Sequence, residues 1–256
     1  MKFDACLKVA AEQTAADYGI SPSLFFDGTT HVVRAENYSA RARRTKLGKP
    51  FLDISYFGSG LVAVADDVII DGVKAYLAQC KDAFRAFDAP NVFELDAMLG
   101  RFGYTVGELA VGFLPADGNA SRRCALDRAS VKTLFDKEIS ELYRYKEFGE
   151  ALCYDVDAPR RDVIAVIHRD GGRPIAVAAC SNDCEDMYQI GVDVLPEYRR
   201  RGIAAALVTE LTALIEERGK VPFYRCAWSN IASRRTATAC GYVDAWIELF
   251  ACKKKM

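Results

Sequence analysis

The stretch "LPEYRRRGIAAALVTELTALIEERG", residues 195–219, places three arginines and a glycine directly before an apolar run. Apolar residues recur in this run at helical spacing, which predicts a helix that ends near Gly219. Most helices begin at Ser, Thr, Asp or Asn, whereas this one follows Arg-Arg-Arg-Gly at 199–202. The N-terminus of a helix carries free amides and partial positive charge, so arginines there favour a site for an anion. A charged turn before a surface helix is the simpler alternative.

The composition is that of a globular protein of about two domains. The chain has 256 residues, of which 51% are hydrophobic and 27% charged, enough for a substantial buried core. The formal net charge of −1 provides no overall field to attract nucleic acid or an anionic membrane. No apolar run is long enough to span a membrane. Asp4 and Glu12 lie among the apolar residues of the N-terminus, which argues against a signal peptide.

The cysteines and histidines restrict the chemistry that the chain can perform. Nine cysteines are scattered singly, without a C-x-x-C motif. Scattered thiols in apolar surroundings indicate a reducing compartment, so we expect a cytoplasmic protein. His31 and His168 are the only histidines. We therefore expect no metal site and no nucleophile activated by histidine.

The C-terminal half has a regular pattern of elements. A segment at 127–152 is predicted to be helical, with Asp127 as its cap. Two strand-like runs, 163–168 and 174–180, enclose an Asp-Gly-Gly turn that is typical of a hairpin. A third strand is predicted at 187–195, and the helix of 203–217 follows it. The chain then continues with a fourth strand at 221–228, a short helix that begins after Asn230 and a last strand at 242–252. A strand–helix–strand crossover requires one parallel pair in an otherwise antiparallel sheet.

The N-terminal half is less regular. It is predicted to contain helices at 3–18, 67–80 and 91–103, two strands around a glycine turn at 51–66, and a strand at 104–115. The polar stretch 114–123 contains Gly and Pro and is the predicted boundary. We therefore expect two domains, 1–118 and 119–256.

The C-terminal half resembles the Gcn5-related N-acetyltransferase (GNAT) superfamily. The residues that carry the resemblance are R-x-x-G-x-A at 199–204, the preceding Val194-Leu195-Pro196, Asn230 at a helix start, and Gly241-Tyr242 after that helix. The resemblance covers about 119–256 and implies an α+β fold, with a mixed, mostly antiparallel sheet flanked by helices. The N-terminal α+β domain has no recognisable likeness to that fold, although short patterns in it resemble those of two-domain bacterial relatives.

The resemblance also implies the cosubstrate, acetyl-CoA, and the residues that bind it. The amides of residues 201–204 would hold the pyrophosphate, and the strand around Val192 and Val194 would pair with the pantetheine arm. The Val194 amide would polarise the thioester carbonyl. The binding set is Val192, Val194, Arg199, Arg201, Gly202, Ile203, Ala204, Asn230 and Arg234, with Arg235 as an alternative to Arg234.

For the catalytic residues the resemblance leaves several candidates open. Many members of the superfamily have a tyrosine, acting as general acid, seven residues after the Asn, where this chain has Ala237. For the base that accepts a proton from the amine, the candidates are Tyr188, Glu185 and Asp186. Tyr188 takes the position of a catalytic glutamate in some relatives, but a half-buried sheet tyrosine is an equally good interpretation. A solvated turn would also explain the two carboxylates; Ser233 and Tyr242 are further hydroxyls that the resemblance places near the sulfur.

The sequence therefore predicts an N-acetyltransferase that acts on a small cationic amine by direct attack in a ternary complex. The cationic preference rests on three carboxylates in the loop 181–186. A CoA-binding regulatory module without catalysis is the alternative, because of Ala237. An RNA-binding protein that uses the basic stretch 40–49 is a third class, although that stretch lacks stacking aromatics and is better explained as a solvated loop. We expect no membrane or nucleic-acid partner, and a homodimer is compatible with the sequence.

Overall fold

The structure is a computed structural model that describes residues 1–118, 126–155 and 157–254. Its helices are α1 (Phe3–Tyr18), α2 (Ile70–Ala78), α3 (Ala89–Gly100), α4 (Ile203–Glu217) and α5 (Ile231–Ala239). Its strands are β1 (Thr30–Arg34), β2 (Leu52–Tyr56), β3 (Leu61–Ala65), β4 (Tyr104–Pro115), β5 (Val131–Phe135), β6 (Asp162–Asp170), β7 (Arg173–Ser181), β8 (Met187–Val194), β9 (Val221–Ala227) and β10 (Tyr242–Lys253). Among the described residues, no helix is both long and apolar enough to cross a membrane.

The chain forms two compact units, and each is built from three separate segments of the sequence. The first unit consists of Met1–Val9, Phe113–Arg225 and Asn230–Val243; the second consists of Ala10–Gly112, Cys226–Ser229 and Asp244–Met256. The predicted domains, 1–118 and 119–256, instead divide the chain at a single point, and residues 119–123 of the predicted boundary lie outside the described residues. That division stays a prediction.

The first unit has the predicted mixed, mostly antiparallel sheet flanked by helices. Its strands lie in the order β4–β9–β8–β7–β6–β5. The pairs β5–β6, β6–β7 and β7–β8 are antiparallel, whereas β8 and β9 are parallel because α4 provides the crossover between them. Gly171 and Gly172 form the predicted hairpin turn with φ angles of 54° and 83°, which suit a turn that needs two positive φ values.

The predicted helix at 127–152 is wrong. Residues 131–135 form strand β5, which pairs with β6, and 3-10 turns at Asp136–Leu142 and Lys146–Phe148 follow. Asp136 adopts a φ of 47°, which an α-helix cannot accommodate. Asp127 does accept a hydrogen bond from the Ala129 amide, 3.1 Å away, but it begins a single 3-10 turn.

The second unit is an α+β structure with its own core. Its strands lie in the order β1–β3–β2–β10–β4. Buried side chains of β2, β3, α2 and α3 form the core, with Ile54, Ala63, Leu77 and Leu95 among them. Strand β1, which pairs in parallel with β3, is an element that the sequence pattern did not reveal.

Most residues of the basic stretch 40–49 are exposed, as we expected of a solvated loop, but Arg43 is buried. The buried Arg43 donates to Asp17 and to Glu248, and its Nη2 lies 2.7 Å from Glu248 Oε1. Lys46 and Lys49 form ion pairs of 2.6 and 2.8 Å with Asp53 and Asp66. Three cations of this stretch therefore face carboxylates of the same unit, which removes most of the support for an RNA-binding surface.

Candidate functional site

Strand β8 has an open edge along its C-terminal half. Its pairing with β9 runs from Met187↔Val221 to Ile190↔Tyr224 and ends there. Its pairing with β7 continues on the other side as far as Ala176↔Val194. Residues 191–194 therefore have a ladder partner on one side only, and the two parallel strands part at Ile190 and Tyr224.

The backbone of Val192 and Val194 faces this open edge. The Leu195 amide donates to the Ile175 carbonyl at 2.9 Å. Since the direction of backbone groups alternates along an antiparallel ladder, the amides of residues 191, 193 and 195 point towards β7 and those of Val192 and Val194 point away from it. The Val194 carbonyl also points away from β7 and accepts a hydrogen bond from Arg199 Nε at 2.9 Å.

The turn that follows β8 exposes amides at the start of α4. Arg200 and Gly202 both have left-handed conformations, with φ of 61° and 77°. Gly202 is the residue before the helix, and no side chain caps the N-terminus of α4. Successive amides in such a turn converge on a concave anion site, which the helix dipole strengthens. Gly202 is needed here for its φ, because a Cβ at this position would meet open space.

The arginines of this turn are exposed and partly fix its shape. Arg201 donates from Nη2 to the Glu197 carbonyl at 2.9 Å, and its guanidinium lies 5.2 Å from the centre of the Tyr198 ring. Arg199 is held against the end of β8 by its bond to Val194. Both arginines keep further N–H groups on their guanidinium ions with which to donate to an anion.

Helix α5 begins beside the point at which the strands part. The Asn230 side chain accepts a hydrogen bond from the Ser233 amide at 3.0 Å, which confirms the predicted cap. This bond occupies Asn230 Oδ1 and leaves the Nδ2 amide as the group that can donate to a ligand. Arg234 and Arg235 follow in the first turn, and Arg235 is exposed.

Opposite faces of β8 meet different elements. A Cβ on Gly191 would collide with the Glu150 carbonyl oxygen. Asp193, two residues later on the same face, accepts hydrogen bonds from the amides of Glu150 and Ala151 at 2.8 and 2.9 Å. Burial raises the pKa of Asp193, although these two amides oppose the shift. The segment 150–151 therefore covers one face of the open half-strand.

The other face of β8 carries Tyr188, Ile190, Val192 and Val194, because side chains alternate along a strand. Paired residues of parallel strands share a face, so Tyr224 of β9 lies on the face of Ile190. The Tyr224 hydroxyl lies 2.7 Å from Ser233 Oγ of α5. This face of the sheet therefore looks towards α5.

The candidate bases do not lie together. Tyr188 is half-buried on the α5 face, two residues before the strands part. Glu185 and Asp186 are exposed, before the start of β8, and Asp186 Oδ1 lies 3.8 Å from Lys220 Nζ. At about 3.3 Å per residue, Asp186 is roughly 13 Å from Ile190. The structure does not bring these two carboxylates to the open edge.

The three carboxylates of the loop 181–186 are not equivalent, contrary to our expectation of an acidic rim. Asp183 is 1% exposed and accepts from Arg160 Nε at 2.6 Å and from Ser181 Oγ at 2.7 Å. A buried and paired carboxylate contributes little field to the solvent. Only Glu185 and Asp186 of this loop remain exposed to attract a cation.

The hydroxyls predicted near the sulfur have different environments. Ala237 is fully buried, so the position of the usual tyrosine holds only a methyl group. The Tyr242 hydroxyl is buried and lies 2.7 Å from Thr212 Oγ1 of α4. Ser233 instead contacts Tyr224, which our sequence analysis did not select. No spacing motif marks Tyr224, because its place depends on its contact with Ser233, nine residues away.

Comparisons with known proteins agree with this geometry. Residues 129–242 match the family model described as Acetyltransferase (GNAT) family. The matched segment is less than half of the 256-residue chain and includes β8, α4 and α5. A search of curated proteins finds no significant match. Within the described residues, no group of three or more His, Cys, Asp or Glu side chains is arranged to hold a metal ion.

The solved structures to which this chain is similar include several GNAT proteins. A putative GNAT acetyltransferase from Novosphingobium aromaticivorans is 21% identical, with 60% of this chain and 69% of that chain covered and a TM-score of 0.47. A GCN5-related N-acetyltransferase-like protein from Streptococcus suis is 17% identical, with 64% of this chain and 68% of that chain covered and a TM-score of 0.47. A GCN5-related N-acetyltransferase from Kribbella flavida is 22% identical, with 76% of this chain and 81% of that chain covered and a TM-score of 0.44.

Proposed function

We propose that the protein is an N-acetyltransferase that transfers the acetyl group of acetyl-CoA to a small cationic amine in the cytoplasm. One observation carries the proposal: the open edge of β8 leads directly into the uncapped N-terminus of α4. A strand edge can pair with the amides of pantetheine, and the helix start can bind a pyrophosphate. CoA presents these two groups in sequence along one chain.

The contacts with CoA follow from the directions of the backbone groups. The amides of residues 201–204 would bind the pyrophosphate, with Arg199 and Arg201 at its side. Val192 and Val194 would pair with pantetheine along the open edge. Asn230 would donate from Nδ2 to the pantetheine arm, and Arg234 or Arg235 would reach the phosphates of the adenosine.

The chemistry requires an amide at the carbonyl and a base for the amine. The amine nitrogen attacks the thioester carbonyl directly in a ternary complex, without an acetyl-enzyme. An amide of the open edge, from Val194, stabilises the oxyanion as it forms. Tyr188 lies on the α5 face near the point of separation and would hold the water that removes the proton from the attacking amine.

The acceptor would approach the open edge of β8 from the side of the segment 150–151, and its amine would cross that edge to meet the water held by Tyr188. Glu150 is exposed there, and the carboxylate of Asp193 lies in the strand itself. Glu185 and Asp186 add two exposed charges at the far end of β8. Carboxylates around the approach favour a cation over an acidic amine.

A CoA-binding module without catalysis is the second candidate, because Ala237 takes the place of the usual tyrosine. Titration calorimetry with CoA, followed by a thiol-release assay with acetyl-CoA, separates the two. The acceptor panel would contain spermidine, putrescine, kanamycin, ethanolamine and glutamate. Our proposal predicts CoA binding together with turnover that is fastest on a polycationic amine. Binding without turnover on any amine would support the module instead.

A further inference from the structure

We propose that Tyr224 and Ser233 form a proton relay that protonates the departing CoA thiolate. This inference rests on the proposed function and supplies the general acid that the proposed function lacks. The buried methyl group of Ala237 has no proton to give. A hydroxyl from another residue close to this position would restore the missing proton donor.

Tyr224 stands where β8 and β9 separate. It is the last residue of β9 that pairs with β8, opposite Ile190. Its side chain is 3% exposed and lies on the face of the sheet that looks towards α5. The open edge that would bind pantetheine begins one residue after Ile190, so the thiol end of the CoA arm would lie between this point and Val194.

Ser233 connects this phenol to the start of α5. The two hydroxyl oxygens are 2.7 Å apart, a distance typical of an O–H···O hydrogen bond. Ser233 lies in the first turn of α5, where the helix dipole stabilises negative charge. It precedes Ala237 by four residues, so the two residues share one face of the helix. The relay therefore begins one turn from the position at which the superfamily tyrosine would stand.

The proton transfers balance with the bond changes. As the amine nitrogen forms its bond to the acetyl carbon, the carbon–sulfur bond breaks and its electron pair goes to sulfur. Ser233 gives its hydroxyl proton to the sulfur and takes the proton of Tyr224. The tyrosinate regains a proton from solvent, while the proton that the amine loses passes to solvent through water. The products are the amide and CoA with a free thiol.

Tyr242 supplies a matched control for Tyr224. Both are buried tyrosines whose hydroxyls lie 2.7 Å from another hydroxyl, but the partner of Tyr242 is Thr212 of α4. A phenylalanine at either position removes one buried hydroxyl and keeps the ring. A purely structural effect should therefore be similar in the two variants.

The experiment compares full-length Tyr224→Phe, Ser233→Ala and Tyr242→Phe with the wild type, using acetyl-CoA and the fastest amine of the panel. We expect kcat to fall about a hundredfold or more in Tyr224→Phe and Ser233→Ala, because a positioned proton donor typically contributes about 10²–10⁴-fold. The calorimetric Kd for CoA should stay within twofold. The double variant should be no slower than the slower single variant, because the two residues act in one relay.

The control variant and the wild type distinguish failure of the relay from failure of the proposed function. Tyr242→Phe should lower the thermal midpoint and reduce kcat less than Tyr224→Phe does. If Tyr224→Phe retains the wild-type kcat, or loses kcat only as much as Tyr242→Phe, the relay is wrong and the proposed function stands. If the wild type binds CoA and acetylates no amine, the proposed function fails, and the relay fails with it.

Discussion

Gly202 adopts φ 77° and ψ 0° immediately before α4. An L-residue in this region costs about 1–2 kcal/mol, so any substitution strains the turn. Neighbouring protein atoms do not crowd the position, since nothing lies within 4 Å of an added Cβ. A side chain placed there would instead project towards the space in which we expect the pyrophosphate.

This geometry predicts a charge-specific effect at Gly202. Gly202→Glu and Gly202→Gln carry the same strain and nearly the same volume, but only glutamate brings a negative charge to the anion site. We expect CoA affinity by calorimetry to be at least about tenfold weaker in Gly202→Glu than in Gly202→Gln, or about 1.4 kcal/mol. Thermal unfolding would verify that both variants are folded. Equal affinities for CoA would show that the turn does not bind the pyrophosphate.

Single residues also show what a sequence can and cannot reveal about a site. Gly202 and Asn230 have motif spacing, and the structure gives them the predicted turn and cap. Asp193 and Tyr224 carry no such signal, because their roles depend on partners 42 and 9 residues away, Ala151 and Ser233. A carboxylate that holds two amides of another segment is visible only once the chain has folded.

At the scale of elements, strands with strong alternation were predicted better than the segment before β6. The apolar residues Val131, Leu134 and Leu142 recur at spacings that fit a helix, yet the first two lie in strand β5. Strand β5 pairs with β6 over five residues and so provides hydrogen-bond partners for the backbone groups on that edge of β6. Tertiary pairing of this kind overrides local periodicity, since a strand gains its hydrogen bonds from another part of the chain.

Asp162, at the start of β6, is expected to make stability depend on pH. It is 1% exposed, and it accepts hydrogen bonds from the Tyr143 hydroxyl at 2.8 Å and from the Cys153 amide. Burial nevertheless raises the pKa of Asp162, whereas these hydrogen bonds oppose the shift. Since the folded protein holds this proton more tightly than the unfolded chain, the contribution to stability is present at low pH and is lost as the pH rises through the folded-state pKa.

The test compares wild type with Asp162→Asn, whose amide does not titrate. The thermal midpoint of the wild type minus that of the variant should be largest below the unfolded pKa of about 3.9 and should decline as the pH rises towards 7. Each unit of pKa difference corresponds to about 1.4 kcal/mol. Tyr143→Phe removes a bond that favours the carboxylate, so it should move the decline to higher pH. A difference that grows with pH would mean that the hydrogen bonds outweigh burial.

At the scale of the whole molecule, the composition suggested two domains but not the way in which the chain is shared between the two compact units. Strands β4 and β10 are each twelve residues long, and each contributes residues to both units. A boundary drawn from Gly, Pro and polar residues follows loops, so it cannot reveal that a strand continues from one unit into another. The same limit applies to charge: the basic stretch 40–49 looked solvated, while Asp17, Asp53 and Glu248 supply its counter-charges.

The distribution of charge in the first unit leads to a prediction about the acceptor. If a polycation approaches across the segment 150–151, Glu150 contributes more to its binding than Glu185 and Asp186 do at the far end of β8. In Glu150→Gln we expect the KM for spermidine to rise about threefold to tenfold, which corresponds to about 0.7–1.4 kcal/mol. The KM for ethanolamine should change less than twofold, because its single positive charge interacts less strongly with the Glu150 carboxylate than the three charges of spermidine do. The kcat on both amines should be unchanged.

The control for this prediction is Glu185→Gln/Asp186→Asn, which removes two exposed charges. Asp183 is left intact, because its loss would leave Arg160 without its buried partner. If the carboxylates act only through a general field, the double variant should raise the KM for spermidine more than Glu150→Gln does, and added salt should abolish both effects. An effect confined to Glu150→Gln would place the approach of the amine over the segment 150–151. If neither variant changes the ratio of the two KM values, the acceptor is not selected by these carboxylates, and the preference for a cationic amine is wrong.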